Sequence, residues 1–395
     1  MTNLLWSILL FFLQPVFIVG LFYANFNRNQ RVKYSRKNFR VNFNRTNFEL
    51  KDYLIKGLLP GMIISVFSIV LGIPLTIKWY LIYQMIAILF LLFGGSRFIH
   101  PLFTFSATSI VMYILNRLHL ELNIDWVQRL TNDNLFIINF EPNALNSLLI
   151  NSLLFTSLIL LITAFAMNNY NTNKVFPILG SSKRGKKVAQ YPNKFLWLLP
   201  MVIVVPGKVI EPFAAWWPML NIGGERFALL ILPVLIGLHY TVSTQLLSEA
   251  TERIQKEIFG LSVIGFLGFG LSYFYSPASV WVTGLIFILG LVVLYRHRKR
   301  ENLWSFQYGP ADTGLRIIAV RPDSPAERLN LSIGDIIMNM NDEEMNTREE
   351  FDEMLAYNRS YIKMRIQRKD GEIVIAETPL YDDDYNNLGL LILGK

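Results

Sequence analysis

The 395-residue chain contains no cysteine. That absence excludes a disulfide framework, a thiolate nucleophile and any cysteine-based metal site. Histidine is almost as scarce, at four residues, which narrows acid–base and metal chemistry further. Charge is low as well. Only 17% of residues are charged, where soluble domains carry about a quarter. Hydrophobic residues make up 52% and aromatics 14%. This balance excludes a disordered chain and argues against a simple soluble enzyme. The net charge of +8 points, in so apolar a chain, to basic cytoplasmic loops of a membrane protein, so no nucleic-acid partner is expected.

The apolar residues fall in long blocks up to about residue 295. A bilayer core of about 30 Å takes roughly 20 apolar helical residues. Residues 4–24 satisfy this without a charge. They lack the basic start and small-residue cleavage site of a leader, so they are expected to stay as a span. Further spans are expected at 57–77, 79–95, 98–115, 145–167, 195–206, 227–246, 259–275 and 278–295. The segment 195–206 is too short to cross alone, so it is expected to continue irregularly through Val209 and Phe213 or to bend back, with any non-helical backbone buried by protein. The predicted fold class is therefore a polytopic α-helical membrane domain of about nine spans, residues 1–300. A small α+β cytoplasmic domain, residues 301–395, follows it.

Basic residues cluster after the first span (Arg28 to Lys51), around residue 180 (Lys174 to Lys194) and after the last span (Arg296 to Arg300). With an odd number of spans these clusters share one side. That places the N-terminus outside and the C-terminal domain in the cytoplasm. The same clusters would attract anionic membrane lipids. Between residues 116 and 143, Leu120, Ile124 and Val127 share a helical face beside Trp126, which predicts a short helix on the outer surface.

No His-Glu-x-x-His and no Gly-x-Ser-x-Gly occurs. His239 lies in an apolar block near Ser243 and is expected to be neutral and hydrogen-bonded near a helix end. Lys208 and Glu211 are spaced as a mutual pair. No catalytic residue, cofactor or metal ligand is expected, and the chain is expected not to be an enzyme.

The C-terminal part carries a specific pattern. A strand at 314–321 is followed by Ser324-Pro325-Ala326 and a short helix. Asn330 stands where a left-handed cap is wanted, and Gly334-Asp335-Ile336-Ile337 opens the next strand. Thr347 can cap a helix whose apolar face is Phe351, Met354 and Leu355. Lys369-Asp370-Gly371 marks a hairpin. The chain closes on Leu388-Gly389-Leu390-Leu391-Ile392.

These residues resemble a PDZ domain of the bacterial kind, and the match covers about a quarter of the chain. The terminal Leu-Gly-apolar strand implies a circularly permuted order, with the carboxylate-loop strand moved to the C-terminus. The resemblance implies a peptide-binding groove between Leu388, Gly389, Leu390, Leu391 and Ile392 and the helix bearing Glu350, Phe351, Met354 and Leu355. The competing reading is that Phe351 and Leu355 simply pack the core. Asn330 and Asp342 depart from the usual glycines, but both residue types tolerate left-handed backbone. The acidic stretch Tyr381 to Asn387 would repel a carboxylate, so an internal segment or a basic tail is the alternative ligand.

The whole-chain architecture, many spans followed by one such domain, is similar to the MinJ-like family of Gram-positive cell-division membrane proteins. The resemblance implies a non-enzymatic scaffold in the cell membrane, enriched at the division septum or poles. Its implied partners are a DivIVA-like coiled-coil protein, Min-system proteins or other divisome components. Self-association is left open. The alternatives are a transporter regulated by its PDZ domain, or a membrane anchor that presents substrates to a protease or cell-wall enzyme.

Overall fold

The computed structural model describes residues 10–39, 47–120, 145–168, 175–181, 185, 187–220, 222, 225–303, 307–321, 324–357, 361–380 and 388–394. Most of the expected outer helix, most basic residues around 180 and the acidic stretch 381–387 lie outside the described residues.

Helix α1 (Pro15–Phe39) begins at a break after Gln14, because Pro15 has no N–H to continue the preceding turn. It runs well past the expected span end at Ala24, so Arg28 to Lys37 are helical and not a loop. Helices α2 (Phe48–Ile55) and α3 (Leu58–Leu71) follow with a hinge at Lys56-Gly57, and Gly72 closes α3 in left-handed backbone. Thr76 caps α4 (Ile77–Gly94) by accepting from the Trp79 N–H at 3.2 Å. His100 caps α5 (Pro101–Arg117), its Nδ1 accepting from the Leu102 N–H at 3.0 Å. Helices α6 (Leu145–Asn168), α7 (Leu247–Phe274) and α8 (Ala278–Leu303) complete the set.

Among the described residues, five helical stretches are long and apolar enough to cross a membrane: Phe48–Leu71, Ile77–Arg97, Leu145–Met167, Leu247–Phe274 and Ala278–Asn302. Their outward faces carry Met85, Leu92, Phe93, Leu267, Phe274 and Trp281, all exposed. Such a surface is unstable in water and stable in lipid. Helix α6 is the central one, and several of its polar groups find partners inside. Asn151 Nδ2 donates to the Pro74 and Leu220 carbonyls at 2.8 and 3.1 Å, and Thr163 Oγ1 meets His100 Nε2 at 3.1 Å.

Two of the nine expected spans are strands: 227–246, expected as a helix, and 195–206, where irregular backbone was expected. Residues 195–206 and most of 227–246 fall in β2 (Lys187–Ile210) and β3 (Phe227–Val242), an antiparallel ribbon paired from Tyr191–Val242 to Pro206–Phe227. At roughly 3.3 Å per residue it is about as long as a bilayer is thick, headgroups included. A short strand β1 (Ile178–Ser181) pairs with the start of β2. The ribbon's faces are almost wholly buried, so neither strand alternates and each reads as one apolar run.

Such a ribbon has two unpaired edges, which apolar surroundings do not tolerate. Pro200 and Pro233 face each other in the register, and with Pro192 and Pro206 they remove outward N–H groups altogether. Neighbouring helices satisfy what remains. Ser65 Oγ accepts from the Val202 N–H at 2.9 Å, Tyr83 Oη donates to the Pro233 carbonyl at 3.1 Å, and Gln14 Nε2 donates to the Ile231 carbonyl at 2.7 Å. Gly57 and Gly61 let α3 lie directly on β2: a Cβ at Gly61 would sit 2.4 Å from the Pro200 oxygen.

The C-terminal domain is built on a six-stranded antiparallel sheet in the order β8-β7-β5-β4-β9, with β6 paired to β5. Its elements are β4 (Leu315–Val320), α9 (Pro325–Arg328), β5 (Ile336–Met340), β6 (Glu343–Glu344), α10 (Arg348–Tyr357), β7 (Tyr361–Gln367), β8 (Ile373–Pro379) and β9 (Leu390–Leu393). Asn330 and Asp342 have φ of 55° and 69°, the left-handed backbone their positions require. Asp335 is buried, accepts from the Ser332 N–H at 2.9 Å and meets Arg368 at 3.3 Å. Burial raises its pKa above the usual carboxylate value.

This domain is seated on the ribbon's base. The Ala189 N–H donates to the Tyr308 carbonyl at 3.0 Å, and Tyr308 Oη accepts from the Leu247 N–H at 3.1 Å. The end of α8 is stapled at the same level. One Glu301 oxygen accepts from the N–H and hydroxyl of both Ser243 and Thr244, at 2.8 to 3.0 Å, and the other accepts from Gln245.

Candidate functional site

The candidate site lies between β9 and α10. Helix α10 starts with a reciprocal cap: Thr347 Oγ1 accepts from the Glu350 N–H at 3.3 Å, and Glu350 Oε2 accepts from the Asn346 and Thr347 N–H groups at 2.8 and 3.1 Å. Those two N–H donors hold the Glu350 carboxyl below the usual value. Glu350, expected in the groove, is thus exposed and engaged at its own helix terminus.

Strand alternation sorts the remaining expected residues. Leu388, Leu390 and Ile392 pack with Phe351, Met354 and Leu355 in the domain's own core. Phe351 and Leu355 are buried, while Met354 and Leu390 are partly exposed at the surface of that cluster. Leu391 points the other way, with Leu393, into the cluster that includes Tyr191, Tyr308, Ile318 and Ala319. The structure therefore brings Leu388, Leu390, Ile392, Phe351, Met354 and Leu355 together and sends Leu391 to the membrane-domain side.

Gly389 has φ of 84°, and a Cβ there would lie 2.3 Å from Ser324 Oγ. A turn this tight beside Ser324 requires glycine. The Gly389 and Leu388 carbonyls accept from the Arg321 and Ala326 N–H groups at 2.7 and 3.1 Å, and Ser324 Oγ donates to the Arg321 carbonyl at 2.6 Å. The turn leading into β9 is thus held from outside by the backbone of Arg321 and Ala326. Reading the sequence for the groove alone missed Arg321 and Ser324. The Ser324-Pro325-Ala326 motif was their available signal.

Strand β9 pairs with β4 on one side and, among the described residues, ends the sheet on the other. An edge strand offers a row of backbone donors and acceptors to an extended segment, and the neighbouring helix supplies side-chain pockets. At the far end, a Cβ on Gly394 would lie 2.9 Å from the Asn346 oxygen, so the start of α10 lies beside the end of β9.

The polar candidates of the membrane part lie along the ribbon. His239 sits in β3 opposite Lys194, in a strand and not near a helix end. Glu211 pairs with Arg226 at 2.6 Å across the ribbon's turn, where Lys208 was the expected partner. Among the described residues no group of three or more His, Asp or Glu is placed to hold a metal ion.

No protein-family model matches the chain. Similarity to known proteins is nonetheless extensive. The chain is 27% identical over 394 residues to the "Cell division topological determinant MinJ" of Bacillus subtilis (strain 168), covering 99% of this chain and 95% of that protein. It is 22% identical over 222 residues to the "Probable cell division topological determinant MinJ" of Lacticaseibacillus paracasei, covering 55% of this chain and 58% of that one. The same figures hold for the protein of that name from Lacticaseibacillus casei (strain BD-II). The chain is a homologue of MinJ.

Proposed function

We propose that this protein is a non-enzymatic integral membrane scaffold that helps position the cell-division machinery at the septum or poles. Its C-terminal domain works in the manner of a circularly permuted PDZ domain. An extended segment of a partner protein adds along the free edge of β9, and its side chains enter pockets bordered by Leu390 and Met354. The partners are division proteins, a DivIVA-like coiled-coil or Min-system component among them. The observation that carries this reading is the end-to-end similarity to MinJ in a chain whose strand β9, among the described residues, is the last of its sheet.

The topology follows the basic residues. The charged end of α1, the start of β2 and the end of α8 lie on one side, with the C-terminal domain, and that side is the cytoplasm. The nine apolar segments then traverse the membrane region as seven helices and one two-stranded ribbon, and the N-terminus lies outside. The ribbon's edges are closed by Ser65, Tyr83 and Gln14, which makes a strand pair tolerable at that depth.

A fluorescent fusion followed in dividing cells tests the proposal. Septal enrichment that is lost on removing residues 302–395, with membrane insertion retained, is the expected result. Uniform membrane fluorescence unaffected by the deletion contradicts it.

A further inference from the structure

A cavity of about 350 Å³ opens between the charged half of α1, the start of α2 and strands β1 and β2. It is far from β9 and belongs to no part of the peptide site. Four cations line it: Arg31, Lys33, Lys37 and Lys194. Glu49 is the single acid in the lining. Arg31 neutralises Glu49 in a two-pronged pair, at 2.5 and 3.1 Å, and lies over the Phe48 ring at 4.6 Å. The three lysines are exposed and leave the cavity strongly positive.

The rest of the wall is apolar. Tyr34 and Phe176 meet edge to face, with ring centroids 6.4 Å apart, and Val175, Ile178 and Pro192 continue the surface. The wall is also held in place, since Tyr34 Oη accepts from the Leu179 N–H at 2.7 Å and so ties α1 to β1. The volume falls at the small end of the range for small-molecule sites, roughly 300–1,000 Å³.

Position decides the ligand class. The apolar half of α1 ends at Ala24, and the cavity is lined from Asn27 onward. Its Phe48 rim is the first residue of the candidate span Phe48–Leu71. Nearby, Lys56 lies 5.1 Å from the Trp197 ring, as amphipathic side chains do at headgroup depth. A cationic mouth with an apolar wall, at that depth, matches a phosphate ester whose glycerol and upper acyl carbons need burial. Basic pockets between helices on the cytoplasmic side bind anionic headgroups in this way.

We propose that this cavity is a specific site for the headgroup of an anionic phospholipid, with Lys33, Lys37 and Lys194 facing the phosphate and Tyr34 and Phe176 against the glycerol backbone. Bound lipid would fix α1 against β1 and β2, and so fix the ribbon on which the C-terminal domain stands.

The test uses the full-length protein in neutral detergent, with native mass spectrometry counting bound dioleoyl-phosphatidylglycerol against dioleoyl-phosphatidylcholine. The variant Lys33→Gln/Lys37→Gln/Lys194→Gln is compared with Arg296→Gln/Arg298→Gln/Lys299→Gln, which removes an equal charge from the exposed end of α8. The wild type and the α8 variant are expected to retain phosphatidylglycerol, and the cavity variant to bind it about ten-fold more weakly or worse. Four results overturn the proposal: equal retention by all three proteins; equal loss in both variants, which would mean diffuse attraction; displacement by inorganic phosphate at concentrations matched to the lipid, which would mean a free-phosphate site; and loss in the cavity variant of binding to a single-stranded RNA oligonucleotide but not to the lipid.

Discussion

The Tyr191 hydroxyl donates to the Ile318 carbonyl at 2.6 Å, joining the base of the ribbon to an inner strand of the C-terminal sheet. The bond exists because β4 and β9 slip register between Ile317 and Ala319. The slip takes the Ile318 carbonyl out of the ladder and turns it toward the membrane domain. Both residues are fully buried. Tyr191→Phe should leave that carbonyl unsatisfied, at a cost of about 1–3 kcal/mol. Faster hydrogen exchange in peptides covering residues 315–321, with exchange in α6 unchanged, is the expected outcome.

The ribbon depends on its edge partners. Ser65→Ala removes the acceptor for the Val202 N–H and should cost about 1–3 kcal/mol in surroundings that offer no water. Gly61→Leu forces a side chain into the Pro200 carbonyl and should destabilise at least as much. Thermal unfolding of the detergent-solubilised full chain should show both.

Gly389→Val should abolish partner binding without affecting insertion. It combines a β-branched residue with a φ of 84° and a clash with Ser324. Co-purification from detergent extracts reads the first effect, and the amount of protein in washed membranes reads the second.

Acid should unpick the start of α10. The Glu350 pKa is depressed by the Asn346 and Thr347 N–H donors, so its stabilising charge is present above the ordinary glutamate value, about 4.3, and is lost as pH falls through the lower folded value. The stability advantage of wild type over Glu350→Gln, measured as the difference in melting temperature, should be present at neutral pH and shrink steadily as the pH falls below the ordinary glutamate value.

The C-terminal domain was legible because its turns carry chemistry. Asn330, Asp342, Gly371 and Gly389 sit at the positive-φ positions that the sequence pattern demands, and Thr347 with Glu350 announces a helix start. The ribbon was not legible from periodicity. Phe227 to Val242 is enclosed on both faces by helices, so it shows the unbroken hydrophobicity of a buried helix. Its signal lay in proline. Pro233 in the middle of one run, and Pro200 and Pro206 in the other, would each break a helical ladder, whereas in a two-stranded ribbon they fall on outward N–H positions. The sorting of Leu391 away from the groove was likewise out of reach of sequence, because it depends on a second domain packing against the sheet.

The most direct test of the scaffold account places a photoreactive amino acid at Met354, which with Leu390 of β9 lies at the surface of the domain's apolar cluster, and at Ile375, an exposed position on β8 at the opposite edge of the same sheet from β9. Irradiation of dividing cells should give a discrete crosslink to a division protein from position 354 and none from position 375. Crosslinking from position 375 alone, or from neither position while the protein still gathers at the septum, would contradict recognition at β9.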